Sequence, residues 1–409
     1  MNIRSLSILF FLAASTAFGQ WPGFRGNGDS QTAQSGLPTQ WGDDSNVAWR
    51  CGTAGYGQSS PIIWEQSVFV TSASGEKKEN LHLQAFSSLD GSEQWSKTFE
   101  ASNTPEEVSD MISRGAPTPA ADGERVYAFY ESGDLFAVDH EGELIWKRHL
   151  VEEYGEFKGG HGIGSSVVLT EKAVVILIDH DGPSYLLAID KATGKNLWKS
   201  DRTARVSWTT PLYTVYDGIP QIVVSSNGSV DGYHAETGDQ IWTVTGVDMN
   251  TVASPTRFED VIYIGASTPK NCMAIKLGGK GDVTDSHVLW RADGVTSSFG
   301  SPLVVGDFVF FVNRAGVIQA LNRGDGKLVW QSRLPASTWA SAINAHGVVY
   351  AFCKDGQSMV LKPNAEGPNE VSINTLSLGG EKDRIYGVAV SGNQFIVRLE
   401  NQIIALSDN

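Results

Sequence analysis

Cysteine is nearly absent from this chain. Cys51, Cys272 and Cys353 are the only three in 409 residues, no two are close together, and no CxxC or CxxCH occurs. Zinc and covalent haem signatures are therefore missing, and no disulfide framework can be written. Basic residues are also short, with 31 Lys and Arg against 46 Asp and Glu, a net charge of −15. Nucleic acid is excluded as a partner on that ground, because phosphate binding needs a concentrated basic surface. There is no GxSxG, and the eight histidines are scattered, so no hydrolase triad can be nominated. No helical period of useful length stands out, and beyond the N-terminus no segment is apolar and long enough to span a membrane.

Two motifs that mimic ligand sites fail on context. Gly160, Gly162 and Gly164 in GGHGIG look like a phosphate loop, but the SSVVLT that follows reads as a strand and supplies no helix N-terminus. The metal-capable DHDG at Asp179 to Gly182 lies between VVILI and SYLLAI, where a hairpin turn favours the same residues. The sequon Asn227-Gly228-Ser229 also reads as a turn.

Met1 to Gly19 has a basic start at Arg4, an apolar run from Leu6 to Phe18, and Ala17 and Gly19 at the −3 and −1 positions of a cut before Gln20. The run is too short for a mature membrane helix and reads as a cleaved secretory signal (residues 1–19), which places the protein in the periplasm or outside the cell.

What the sequence does have is tryptophan at a near-constant spacing. Leu186 to Lys199 (LLAIDKATGKNLWK) reads as one hairpin, with a tight turn at Gly194 and a large aromatic, Trp198, on its second strand. Similar units end at Trp95, Trp146, Trp242, Trp290 and Trp330, and Trp49 precedes them. The intervals are 46, 51, 52, 44, 48 and 40 residues. Such a period, with four short strands per unit, is the signature of a β-propeller, whose blades bury their faces only by stacking around an axis. After a lead-in over 20–44, the propeller occupies 45–409. Its seventh unit puts Leu376 where the period reserves a Trp, and its last unit holds only three strands. The strand around Val47 to Arg50 is expected to complete that unit, giving eight blades and removing two open sheet edges. Inner strands begin after SSP, TP, TTP, ASP and GSP, where proline starts a strand without having to donate to a ladder.

The repeated pattern in AIDKATGKNLW and ALNRGDGKLVW resembles the tryptophan-docking repeat of the quinoprotein alcohol dehydrogenase-like, or PQQ-like, propeller superfamily. The resemblance covers nearly all of the mature chain. It implies that Trp95, Trp146, Trp198, Trp242, Trp290 and Trp330 pack between neighbouring blades. The superfamily includes dehydrogenases that use pyrroloquinoline quinone with calcium, and non-catalytic members similar to the outer-membrane assembly lipoprotein of the bacterial β-barrel machinery. The vicinal Cys pair of many such dehydrogenases has no counterpart here. Asp248 and Asn250 in VDMN are the nearest calcium-ligand candidates and read as polar groups of an inter-blade loop. The assembly lipoprotein is acylated on a Cys at its cleavage site, whereas this signal ends in Ala17, Phe18, Gly19, Gln20, so no lipid anchor is expected.

These readings converge on an exported, monomeric, eight-bladed all-β propeller that binds or scaffolds a protein or other cell-envelope component, with no cofactor. A quinone-dependent oxidoreductase and an extracellular carbohydrate-binding protein are the alternatives. In a propeller the segments just before the inner strands surround one end of the axis. Here they carry Tyr56, Arg114, His161, Trp208, Asn250, Phe299, Trp339 and Arg384, a mixture close to that of binding hot spots. These eight are expected to form a channel-mouth binding ring.

Overall fold

The computed structural model describes residues 20–104, 112–380 and 384–408; the signal-like segment 1–19 lies outside them. Eight antiparallel sheets of four strands each form the ring, two of them with an extra short strand. Blade 3 shows the plan. Its strands Val168–Leu169, Ala173–Ile178, Ser184–Asp190 and Asn196–Arg202 pair in chain order from the axis outward. The two middle strands, AVVILI and SYLLAID, are buried almost throughout because both of their faces meet a neighbouring blade. Outer strands are wetter, and Glu93–Glu100 in blade 1 alternates between half-buried and exposed positions as the strand period demands.

The core is accordingly divided into wedges between blades. One cluster joins Phe129, Leu135 and Tyr127 of blade 2 to Val174, Ile176 and Leu187 of blade 3, and six further clusters fill the other gaps, one of them running across both sides of blade 8. In the outer strands of six blades the tryptophan lies opposite a small residue on the neighbouring strand, as in Trp198 opposite Ala188 and Trp95 opposite Ala85. Its indole then reaches the turn of the following blade. Trp198 Nε1 donates to the Ala235 carbonyl (3.0 Å), and Trp95, Trp146, Trp290 and Trp330 donate in the same way to His140, Lys191, Arg323 and Asn364. The turn glycine lies on the ring. Gly238 has φ of +76°, and a Cβ there would come within 2.5 Å of Trp198.

Two units depart from the expected pattern. Trp242 is almost fully buried but donates to Gln221 Oε1 of its own blade, not to the next. The turn of blade 5 that should receive it is expanded, and its Gly281–Asp282 segment instead pairs in parallel with Trp242 and Thr243. In blade 7 the register places Ser372, not Leu376, at the docking position, opposite Val360. The gap between blades 7 and 8 is filled by Trp41 of the lead-in, which stacks on Phe352 (5.6 Å between centroids) and tilts against Phe395 (6.1 Å).

The last blade is composite. Gly387–Ser391, Gln394–Arg398 and Gln402–Leu406 receive Val47–Gly52 as their antiparallel outer strand, with Arg50 opposite Ile404 and Gly52 opposite Gln402. Trp49 of that strand lies opposite Ala405 and docks on Ser88 of blade 1, which seals the ring.

Candidate functional site

A belt of hydroxyls encircles the axis. The residue at the start of each inner strand donates its backbone N–H to the side-chain hydroxyl of its counterpart in the next blade. The links run from Ser60 to Thr118, Ser166, Thr210, Ser254, Ser301 and Ser341, with N···O distances of 2.9 to 3.1 Å. Five of the seven precede proline, and a residue before proline is held extended. The SSP, TP, TTP, ASP and GSP motifs are thus the belt itself. Blade 8 puts Gly387 at this position, where a Cβ would lie 2.2 Å from Ser60 Oγ.

Residues two positions earlier point into the axis above the belt, because side chains repeat every second residue along a strand. They are Gln58, Ala116, Gly164, Trp208, Val252, Phe299 and Trp339, and all line a central cavity of ≈ 440 Å³. This volume falls within the range of small-ligand pockets. Trp208 is half-buried, packs on Gly164 and donates its Nε1 to the Gly162 carbonyl (2.8 Å). Phe299 and Trp339 stack at 4.8 Å with an interplanar angle of 10°, and Trp339 meets Tyr386 edge-on at 5.6 Å. The exposed side chains His161, Met249 and Arg314 form the rim.

The lead-in closes the other end. Trp21 makes a two-bond bridge with Ile63, Pro22 accepts from Ala121, and Gln31–Thr32 adds a parallel strand to Ile343–Ala345 of blade 7. All of these contacts lie beyond the belt. The floor is built around Arg25, whose guanidinium is buried and donates to Ser30 Oγ, Thr256 Oγ1 and the carbonyls of Pro255 and Pro302. Burial pushes its pKa down to about 10, with the charge of Asp29 acting in the opposite direction. The channel is therefore blind.

Of the eight residues expected at the mouth, His161, Trp208, Phe299 and Trp339 line the cavity. Tyr56 stands just behind it, with its hydroxyl 2.8 Å from that of Tyr386, and half-buried Arg384 is close enough for its charge to act on that hydroxyl. Arg114 and Asn250 do not belong to the mouth. Both are fully buried between strands: Arg114 donates to the Asn103 carbonyl (2.5 Å), and Asn250 to Ser225 Oγ (3.0 Å). Each sits four residues before the belt, where the chain has turned away from the axis. Tyr386, Met249, Arg314 and the lead-in floor were not anticipated. Counting back two residues from the [Ser/Thr]-Pro motif would have identified Trp208, Phe299 and Gln58, but nothing in the sequence marks the floor.

The other motifs are structural. Asp179 of DHDG receives a two-pronged ion pair from buried Arg202 (2.9 and 3.2 Å), which also reaches Asp231 (3.2 Å). His180 Nδ1 accepts backbone N–H bonds from Lys158 and Gly182. The three cysteines are free thiols, and burial pushes Cys272 up to about 12. No helix of the described residues is long and apolar enough to cross a membrane.

A family model described as "Outer membrane protein assembly factor BamB" (PQQ_2) matches residues 28–158, 140–280 and 280–367. The outer membrane protein assembly factor BamB of Yersinia pestis is 22% identical over 284 residues; the match spans 68% of this chain and 65% of that relative's length. Among solved structures, BamB from Moraxella catarrhalis aligns with a TM-score of 0.61 at 14% identity, covering 88% of this chain and 97% of that one. A quinohemoprotein alcohol dehydrogenase from Pseudomonas putida HK5 aligns with a TM-score of 0.62 at 10% identity, covering 93% and 80%. The described channel wall does not fit a calcium-bound quinone. It offers hydroxyls, an amide and guanidinium groups but no carboxylate, and neither Asn250 nor Asp248 lines it. Matched across most of its length by that model, and built as eight blades locked by docked tryptophans, the chain belongs to the PQQ_2 family of BamB-like propellers.

Proposed function

We propose that the protein is an exported, non-catalytic binding module that scaffolds a protein partner of the cell envelope, in the manner named for its assembly-factor relatives. Residues 1–19 act as the cleaved signal, leaving Gln20 as the mature N-terminus. The partner is held at the channel mouth. The observation that carries this reading is the set of Trp208, Phe299 and Trp339, all half-buried and all fixed two residues ahead of a belt that joins blade to blade. Half-exposed aromatics on a rigid frame lose little conformational freedom on contact, which is why such residues dominate interface energetics. Mass-spectrometric comparison of envelope proteins cross-linked to the parent and to a Trp208→Ala, Trp339→Ala variant tests it. A variant that melts as a folded protein should lose the parent's outer-membrane assembly partners; retention of the same partners would overturn the reading.

The oxidoreductase alternative has a separate test. Purified protein supplied with pyrroloquinoline quinone and calcium is expected to show no dye-linked oxidation of alcohols or sugars. Substrate-dependent turnover requiring both additions would restore that alternative.

A further inference from the structure

The charge of the channel is opposite to that of the molecule. The chain carries 46 acidic residues against 31 basic ones, yet no Asp or Glu is among the described residues that line the cavity, while Arg25 and Arg314 are. Arg25 has no carboxylate in contact. Its four hydrogen bonds all go to neutral oxygens, and Asp29, the carboxylate whose charge acts on it, does not line the cavity, so the floor presents a guanidinium to the channel. Arg314 stands exposed at the rim and forms no ion pair with a described residue. Glu131 faces Arg114 at 3.9 Å, and neither it nor Glu400 lines the cavity.

Between these two cations lies the apolar wall of Trp208, Phe299 and Trp339. A ligand that fits must present a negative group to each end and an apolar group to the middle. A channel ~440 Å³ in volume is too narrow for a folded domain but accepts a few residues of extended chain. The net negative charge of the molecule does not override the local sign. At physiological ionic strength the screening length is about 8 Å, so the lining charges dominate inside the channel, and its low-dielectric walls concentrate their field. The geometry points to an acidic, extended peptide segment, carrying carboxylates on either side of an apolar or aromatic residue, as the part of the partner that enters the channel. This inference rests on the partner-binding reading of the mouth and names the chemistry that reading requires.

The probe is an N-acetylated, C-amidated pentapeptide alternating aspartate and phenylalanine, titrated calorimetrically against the full mature chain. Controls replace each aspartate with asparagine or with lysine. The aspartate peptide is expected to bind at least about tenfold more tightly than the asparagine peptide, with the preference shrinking as salt is raised. Arg314→Gln, at an exposed position, should remove most of that preference, while Lys172→Gln on a remote turn of blade 3 should leave it intact. Equal affinity for the aspartate and asparagine peptides, a preference for the lysine peptide, or a preference unchanged by Arg314→Gln would each overturn the inference. If the peptides bind without charge preference while the Trp208→Ala, Trp339→Ala variant loses its envelope partners, the acidic specificity falls and the partner reading stands. If the aspartate peptide binds as expected but the double variant keeps its partners, the channel is an acidic-peptide site and the partner contact lies elsewhere.

Discussion

At the residue scale the fold depends on one contact repeated around the ring, an indole wedged under the next blade's turn glycine. Trp198 is 9% exposed and combines apolar burial with a bond to the Ala235 carbonyl. Trp198→Ala should therefore cost roughly 3 to 5 kcal/mol, the usual range for truncating a buried large aromatic. Chemical denaturation of the variant checks this, and a loss no greater than that of an exposed substitution would refute it. The docking residues were legible because Trp and Gly recur in the sequence at fixed separation. Trp242 and Leu376 were misread for a physical reason: docking depends on the register of the outer strand and on the neighbour's turn, and neither is visible in the unit itself. Arg114 and Asn250 were misplaced at the mouth because spacing shows which segment approaches the axis but not which of its alternating side chains face it.

At the element scale the N-terminal segment does two jobs that its sequence conceals. Its composite strand was anticipated from a missing fourth strand, which is a matter of counting. Its roles as channel floor and as supplier of Trp41 were not, since WPGFRG and the polar stretch after it carry no period. The strand Val47–Gly52 contributes the outer edge of blade 8, and its loss would leave Gln402–Leu406 unpaired on one side. Deletion of the residues through Arg50 should thus raise hydrogen exchange over Gln394 to Leu406 more than over blade 3. Unchanged protection there would contradict the closure mechanism.

At the scale of the whole molecule, stability should respond to mild acid. His180 is buried, and its Nδ1 accepts N–H bonds from Lys158 (2.9 Å) and Gly182 (3.0 Å), a role that only the neutral ring can fill. Burial lowers its pKa below the ordinary 6.5, and that of buried His82 likewise. Because the unfolded chain takes up these protons first, the stabilisation is complete above the unfolded pKa and declines as pH falls from there through the depressed folded value. The melting temperature should hold at about pH 7.5 and drop by about pH 5.5. A His82→Gln, His180→Gln variant should show a shallower slope over the same interval, and an identical slope would assign the acid sensitivity to other groups.

The composite blade also sets a clock. Gly52 pairs with Gln402, so the ring cannot close until about 350 further residues have been made. At ~5 to 20 residues per second of synthesis this is a wait of about 20 to 70 seconds, during which the strand Val47–Gly52 has no partner strand to pair with. Such a chain reaches the end of translation with its two termini still apart.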